Sequence, residues 1–172
     1  MTTALEAAFV HHVWATVRIV DACRALSEEQ LETTVPGTYG SILATLRHTV
    51  GADCSYLELL SGGRVPQLDE DRATLAELRA AMERNGPIWA ELVGEPVAAN
   101  LPVVRHRDDG STSTAPLGIR LAQVIHHGTD HRSQICTALT TLGIEPPEID
   151  VWEMAREQGL LSETSPTVAA TE

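Results

Sequence analysis

His126-His127-Gly128-Thr129-Asp130-His131-Arg132-Ser133-Gln134 sits within a helical pattern that starts at Pro116, a residue suited to a first helical turn, and runs to Leu142, where Gly143 and then Pro146-Pro147 stop it. Side chains four residues apart project side by side on a helix. His127 and His131 can therefore offer two imidazoles to one point in space, the geometry a divalent metal needs from a pair of helical ligands. Two histidines leave a coordination sphere incomplete, so the rest of the chain has to supply a third ligand. At about 100° per residue, Leu121, Val124, Gly128, Ile135, Leu139 and Leu142 make one stripe, with His131 inside it and His127 on its edge, while His126 points almost the opposite way, to solvent. The spacing alone fits equally well a pair in which one imidazole is hydrogen-bonded in a core and the other lies on its rim.

Working outward, the rest of the chain reads as further helices. Leu5, Phe9, Val13, Thr16, Val20 and Cys23 recur at three- and four-residue steps, which predicts an amphipathic helix from Thr3 to Leu26 capped by Thr2 or Thr3, with His12 in the stripe and His11 outside it. Ser27-Glu28-Glu29-Gln30 is a capping-box pattern, and Val35 to Gly40 is a loop. Ser41 can cap a second long helix ending at Ser61-Gly62-Gly63. That helix carries an apolar stripe of Ile42, Leu46, Val50, Asp53, Leu57 and Leu60, and a second face of small residues around His48. Arg64 to Arg72 reads as a solvated crossing. Thr74-Leu75-Ala76-Glu77 opens a third long helix with Leu75, Leu78, Met82, Trp89 and Leu92 inward, which Gly86-Pro87 should break or bend. Val103 to Thr112 predicts a short hairpin around Asp109-Gly110, or an extended excursion, before the fourth long helix. A short helix is expected over Val151 to Leu161. The fold class is thus all-α, a four-helix bundle in one domain over residues 1–161, with 162–172 a small, polar, disordered tail.

Composition narrows the function classes. Acidic residues outnumber basic ones by 24 to 12, for a formal net charge of −12, and there is no lysine. With no cationic cluster to follow phosphates, nucleic acid is not an expected partner. No apolar run approaches membrane-span length, so no membrane partner is expected. Cys23, Cys54 and Cys136 are scattered in apolar helical patterns without a C-x-x-C spacing, as in a cytoplasmic protein with reduced thiols, and no basic-then-apolar leader precedes them. A chain of 172 residues buries a core without help from a metal, so a metal here would serve chemistry.

Four residues compete to be the third ligand. The dominant stripe favours His12; His48 lies off the large-aliphatic stripe of its helix but on the small-residue face; His11 and Cys54 complete the set, although a lone helical cysteine is more often a small core residue. Periodicity does not choose among them.

The order of motifs supplies a resemblance. Trp14 in the first helix, Ala25 to Leu31, Gly37-Thr38-Tyr39-Gly40-Ser41-Ile42-Leu43-Ala44-Thr45-Leu46-Arg47-His48, and His127-Gly128-Thr129-Asp130-His131-Arg132-Ser133-Gln134-Ile135 together resemble the DinB family over roughly Leu5 to Leu161. The most specific parts are Thr-Leu-x-His in the second long helix and His-x-x-x-His-Arg-x-Gln in the fourth. The resemblance implies a four-helix bundle, usually a homodimer, in which His48, His127 and His131 bind a divalent metal such as zinc, nickel or iron. Ser133 stands where the family usually has Gly, and Asp130 where many relatives have another residue; neither change removes a ligand.

Three histidines leave coordination positions open, which is the mark of a catalytic rather than a closed structural site. The resemblance implies a metal-dependent enzyme that activates a low-molecular-weight thiol, of the mycothiol or bacillithiol type, for transfer or isomerisation of a small-molecule substrate. A metal-dependent hydrolase and a non-catalytic, stress-associated metal-binding bundle are the alternatives. A hydrolase would need a general base, and the histidine-rich segments contain no obvious carboxylate for that role. Arg132, Gln134, Tyr39 and His12 are the expected supporting or pocket-lining residues, with Asp130 turned outward.

Overall fold

The computed structural model describes residues 3–164, which form six helices and one two-stranded antiparallel sheet. Helix α1 spans Ala4–Cys23 and begins with a reciprocal cap, Thr3 Oγ1 accepting from the Glu6 amide at 3.1 Å while the Glu6 carboxylate accepts from the Thr3 amide. It stops three residues before the periodicity does, because the Arg24 amide bonds back to Asp21 and Ser27 caps the next element, α2 (Glu28–Leu31). Helix α3 covers Ile42–Ser61, capped by Ser41 and ended by Gly62 at φ 72°, a left-handed conformation that glycine adopts without penalty.

Helix α4 is Leu75–Gly94, with Thr74 and Glu77 forming its capping box. Of the expected break or bend, the break does not occur: α4 runs as one helix through Pro87. Pro87 and Glu83, whose carbonyl the missing amide would have served, are both exposed, so the unpaired acceptor lies on the solvent side of the helix, where its cost is low. Strands β1 (Pro102–His106) and β2 (Thr112–Pro116) pair with Val103 opposite Ala115 and Arg105 opposite Ser113. The hairpin alternative therefore holds, with a second strand longer than expected. Its turn closes through Arg107 and Ser111, with Gly110 at φ 81°. Helix α5 is Leu117–Thr141, and α6 is Val151–Glu157, shorter than the expected Val151 to Leu161 because Gly159 at φ 67° lets the Leu160 amide fold back onto the Ala155 carbonyl. Of the expected tail, residues 162–164 are irregular and 165–172 lie outside the described residues.

The long helices pack in a closed cycle, α1 on α4 and α5, and α3 on the same two. Phe9, Ile19, Leu46, Leu57, Leu78, Met82, Trp89, Val124, Ile135 and Leu139 fill the space between them and are all buried. The Arg64–Arg72 crossing is less solvated than its composition suggests: Val65 is buried against the core, and Arg47 Nε donates to the Ala73 carbonyl at 2.8 Å. Arg120 of α5 donates to the Val103 and Ser113 carbonyls at 3.0 and 3.2 Å, which holds the hairpin against that helix. Among the described residues no helix is long and apolar enough to cross a membrane.

Candidate metal centre

Nε2 of His127 lies 3.1 Å from Nε2 of His48 and 3.2 Å from Nε2 of His131. The one-turn spacing on α5 brings His127 and His131 together, and the α3–α5 contact delivers His48 from the small-residue face of α3. His131 is buried and the other two are half-buried.

Neighbouring groups determine which ring nitrogens are free. Gln134 Oε1 accepts from the Tyr39 amide at 2.9 Å and lies 3.0 Å from His131 Nδ1. A backbone amide can only donate, so that atom is an acceptor and His131 Nδ1 carries the proton, leaving a lone pair on Nε2. Glu70 Oε2 lies 3.4 Å from His48 Nδ1, within ion-pairing distance of the ring nitrogen that does not face His127. The Nε2 atoms of these two rings therefore face His127 Nε2, and the three nitrogens close on one small space that a cation could occupy. The separations suit one: an ion with bonds of about 2.0–2.1 Å in tetrahedral geometry spaces its ligand nitrogens by about 3.3 Å. His127 is correspondingly hard to protonate, lowered to about 4 by burial first and then by the neighbouring His131 and His48 rings.

Tyr39 covers the outer side of His48, its ring parallel at 4.1 Å and 8°, and meets His131 edge-on at 5.4 Å. Although 56% exposed, it is held by its amide bond to Gln134 and by the loop around it, where Thr38 Oγ1 donates to the Val35 carbonyl and Thr34 bridges Ser41. Asp130 is exposed as expected but accepts from Gln134 Nε2 at 3.3 Å, so it steadies the amide that steadies His131.

The other third-ligand candidates are committed elsewhere. His12 does point inward, but its Nε2 bonds Asp53 Oδ1 at 2.9 Å and its Nδ1 faces Arg132 Nη1 at 3.1 Å, so neither nitrogen is available. Arginine has no acceptor, so His12 accepts at Nδ1 and donates from Nε2. His11 bonds the Ile149 carbonyl at 2.7 Å, and Cys54 Sγ accepts from Asn85 and lies near Arg84, with its thiol pushed up by burial. Arg132 is buried and touches no carboxylate directly; it donates to His12, Thr16 and Thr129. Burial lowers its guanidinium to about 10, which leaves it charged at neutral pH. Asp53 in turn accepts from Trp89 Nε1 at 3.0 Å and Asn85 Nδ2 at 2.7 Å. One buried carboxylate and one buried guanidinium are thus bridged by an imidazole, in a network to which all four long helices contribute a side chain.

An acid inside the apolar stripe of α3 was the available signal for this network, since a buried carboxylate demands donors. Glu70 gave no such signal, being one of several acids in an irregular segment. It can lie over α3 because Gly51 is beneath it: a Cβ there would fall 2.3 Å from Glu70 Oε1. Beside His48 and His127 opens a cavity of about 290 Å³ lined by these two, Glu70, Ser55, Arg105 and Gln123, among others.

A family model described as DinB family matches residues 1–164. No curated protein matches the chain.

Proposed function

This chain belongs to the DinB family, and from that premise we propose that it is a divalent-metal-dependent enzyme that activates a low-molecular-weight thiol for attack on a small-molecule electrophile. The observation that carries the reading is the convergence of three imidazole Nε2 atoms, two of them with Nδ1 turned to an acceptor, at the edge of a cavity. Zinc, nickel or iron bound there supplies Lewis acidity, which makes a thiol or water nucleophilic near neutral pH. His48, His127 and His131 would hold the ion. Glu70 and Gln134 orient His48 and His131, Tyr39 shields the rings from bulk water, and the cavity admits a substrate of modest size. Arg132 and His12 act at one remove by locking α5 to α1 beside the ligands. In the same reading the four long helices form a four-helix bundle of the DinB type, one domain over residues 1–161, that pairs as a homodimer in the cytoplasm, where a reduced thiol would be at hand.

Glu70 favours a second reading, hydrolysis. It places beside the histidines the carboxylate that the histidine-rich segments lack, and a carboxylate near an activated water is what a hydrolase requires. One experiment separates them. Protein purified without chelators or affinity tag is assayed for metal content, then screened with low-molecular-weight thiols and electrophilic acceptors and, in parallel, with ester and amide substrates. The thiol reading expects about one divalent ion per chain and metal-dependent thiol consumption. Hydrolysis without thiol, lost in E70Q, would replace it with the second reading, and protein that takes up no divalent metal would remove both.

A further inference from the structure

The cavity beside His48 and His127 contains an arginine, Arg105, that forms no ion pair among the described residues. Arg105 lies on β1, where burial alternates along the strand and places Val103 and Arg105 on the inward face. Its guanidinium Nη2 donates to Ser55 Oγ at 3.0 Å, and among the described residues it has no carboxylate within ion-pairing distance. The hairpin that carries it is held to α5 by Arg120. In a chain of net charge −12, where Arg18, Arg64 and Arg79 each pair with an acid, a half-buried arginine that lines a cavity and is bonded to one hydroxyl has donors to spare.

We propose that Arg105 is the anion anchor of this site, binding a carboxylate on the small molecule whose other end reaches His48 and His127. The inference rests on the proposed metal-dependent thiol chemistry for the identity of that other end. The guanidinium presents a planar fork of donors that matches a carboxylate, and Ser55 fixes its plane. Glu70 lies in the same cavity on the His48 side, so the two ends of the cavity differ in charge and admit an anionic ligand in one direction only, carboxylate toward the hairpin. A second hollow that shares Arg105 and Ser55 is lined also by Glu58 and Asp108, so the anion is held at Arg105 itself and not farther along the hairpin.

The test uses full-length protein loaded with cobalt(II) and two thiols of similar size, neutral 2-mercaptoethanol and anionic 3-mercaptopropionate. Calorimetry gives the ratio of their affinities, and the thiolate-to-cobalt absorption band reports separately whether sulfur reaches the metal. Wild-type protein is expected to prefer 3-mercaptopropionate by about tenfold, the worth of one charge-assisted hydrogen-bonded pair at a half-exposed site. In R105Q the ratio should fall to about one, and R105K, which keeps the charge but not the fork, should lie between. A wild-type protein without the preference, or an R105Q protein that keeps it, overturns the proposal. Absence of the absorption band with both thiols defeats the thiol reading instead, and the calorimetric ratio still decides the role of Arg105.

Discussion

Gly51 and Gly128 both sit where a side chain from another element lies against a helix, and their neighbours predict opposite consequences for adding a methyl group. At Gly128 a Cβ would fall 2.5 Å from His12 Cε1 and 2.9 Å from Arg132 Nη1, atoms of a buried network with nowhere to go. Gly128→Ala should cost on the order of 1–3 kcal/mol and lower the melting temperature. At Gly51 the obstacle is the exposed side chain of Glu70, which can swing into water, and alanine gains up to about 1 kcal/mol of helix propensity. Gly51→Ala should therefore melt no lower than wild type yet bind metal about tenfold more weakly, because His48 loses its carboxylate. Thermal melts and metal titrations of the two variants check both halves. His127 sets a pH dependence of its own. Its folded pKa is lowered to about 4, against about 6.5 in an unfolded chain, so the unfolded state takes up the proton first as the pH falls. Its contribution to the stability of metal-free protein is fully present above pH 6.5 and is lost between there and about pH 4. Denaturant titrations across that range should show a slope that His127→Gln removes.

Among the elements, α4 shows how far tertiary packing can overrule a local signal. Pro87 removes one amide and crowds the carbonyl of Glu83, yet the helix continues because Leu78, Met82, Trp89 and Val93 are buried on the opposite face. Pro87→Ala should restore the missing hydrogen bond. Proline in a helix interior costs about 3 kcal/mol, and part of the gain is returned because alanine loosens the unfolded chain. A net stabilisation of about 1–2 kcal/mol is expected in denaturant titrations. An unchanged or lower midpoint would mean that Pro87 sets a bend on which the packing of α4 depends. The hairpin is the other element with a consequence beyond itself, since its inward face carries Arg105 to the site and α5 holds it there through Arg120.

At the scale of the molecule, the core and the histidine site are separable. The buried aliphatic and aromatic residues between α1, α3, α4 and α5 include none of His48, His127 and His131, and the polar ties that cross the interior run through Asp53, His12 and Arg132 instead. His131→Ala should accordingly abolish metal binding and any activity while costing on the order of 1–3 kcal/mol, against about 5–15 kcal/mol for a typical domain. Far-UV circular dichroism and melting of this variant, and of protein stripped with a chelator, should remain those of a folded helical protein. A globally unfolded variant would make the metal structural.

Local chemistry was enough to reveal most of the architecture. Capping residues Thr3, Ser27, Ser41 and Thr74, stop signals at Gly62 and Gly143, and three-to-four spacing of apolar residues all act within a turn or two of themselves, so the long helices follow from the chain alone, whereas the Asp-Gly hairpin and the meeting of His127 with His131 were each one of two readings that the structure decides between. His48 was reached from the sequence only through a resemblance, because helical period reports which way a side chain faces and not what waits opposite. The same ambiguity made His12 a rival: it does face inward, but toward Asp53 and Arg132. Glu70, Arg105 and the unbroken course of α4 depended on contacts between segments distant in sequence, and such contacts are decided by which faces pack together, a property of the assembled helices that no single stretch contains.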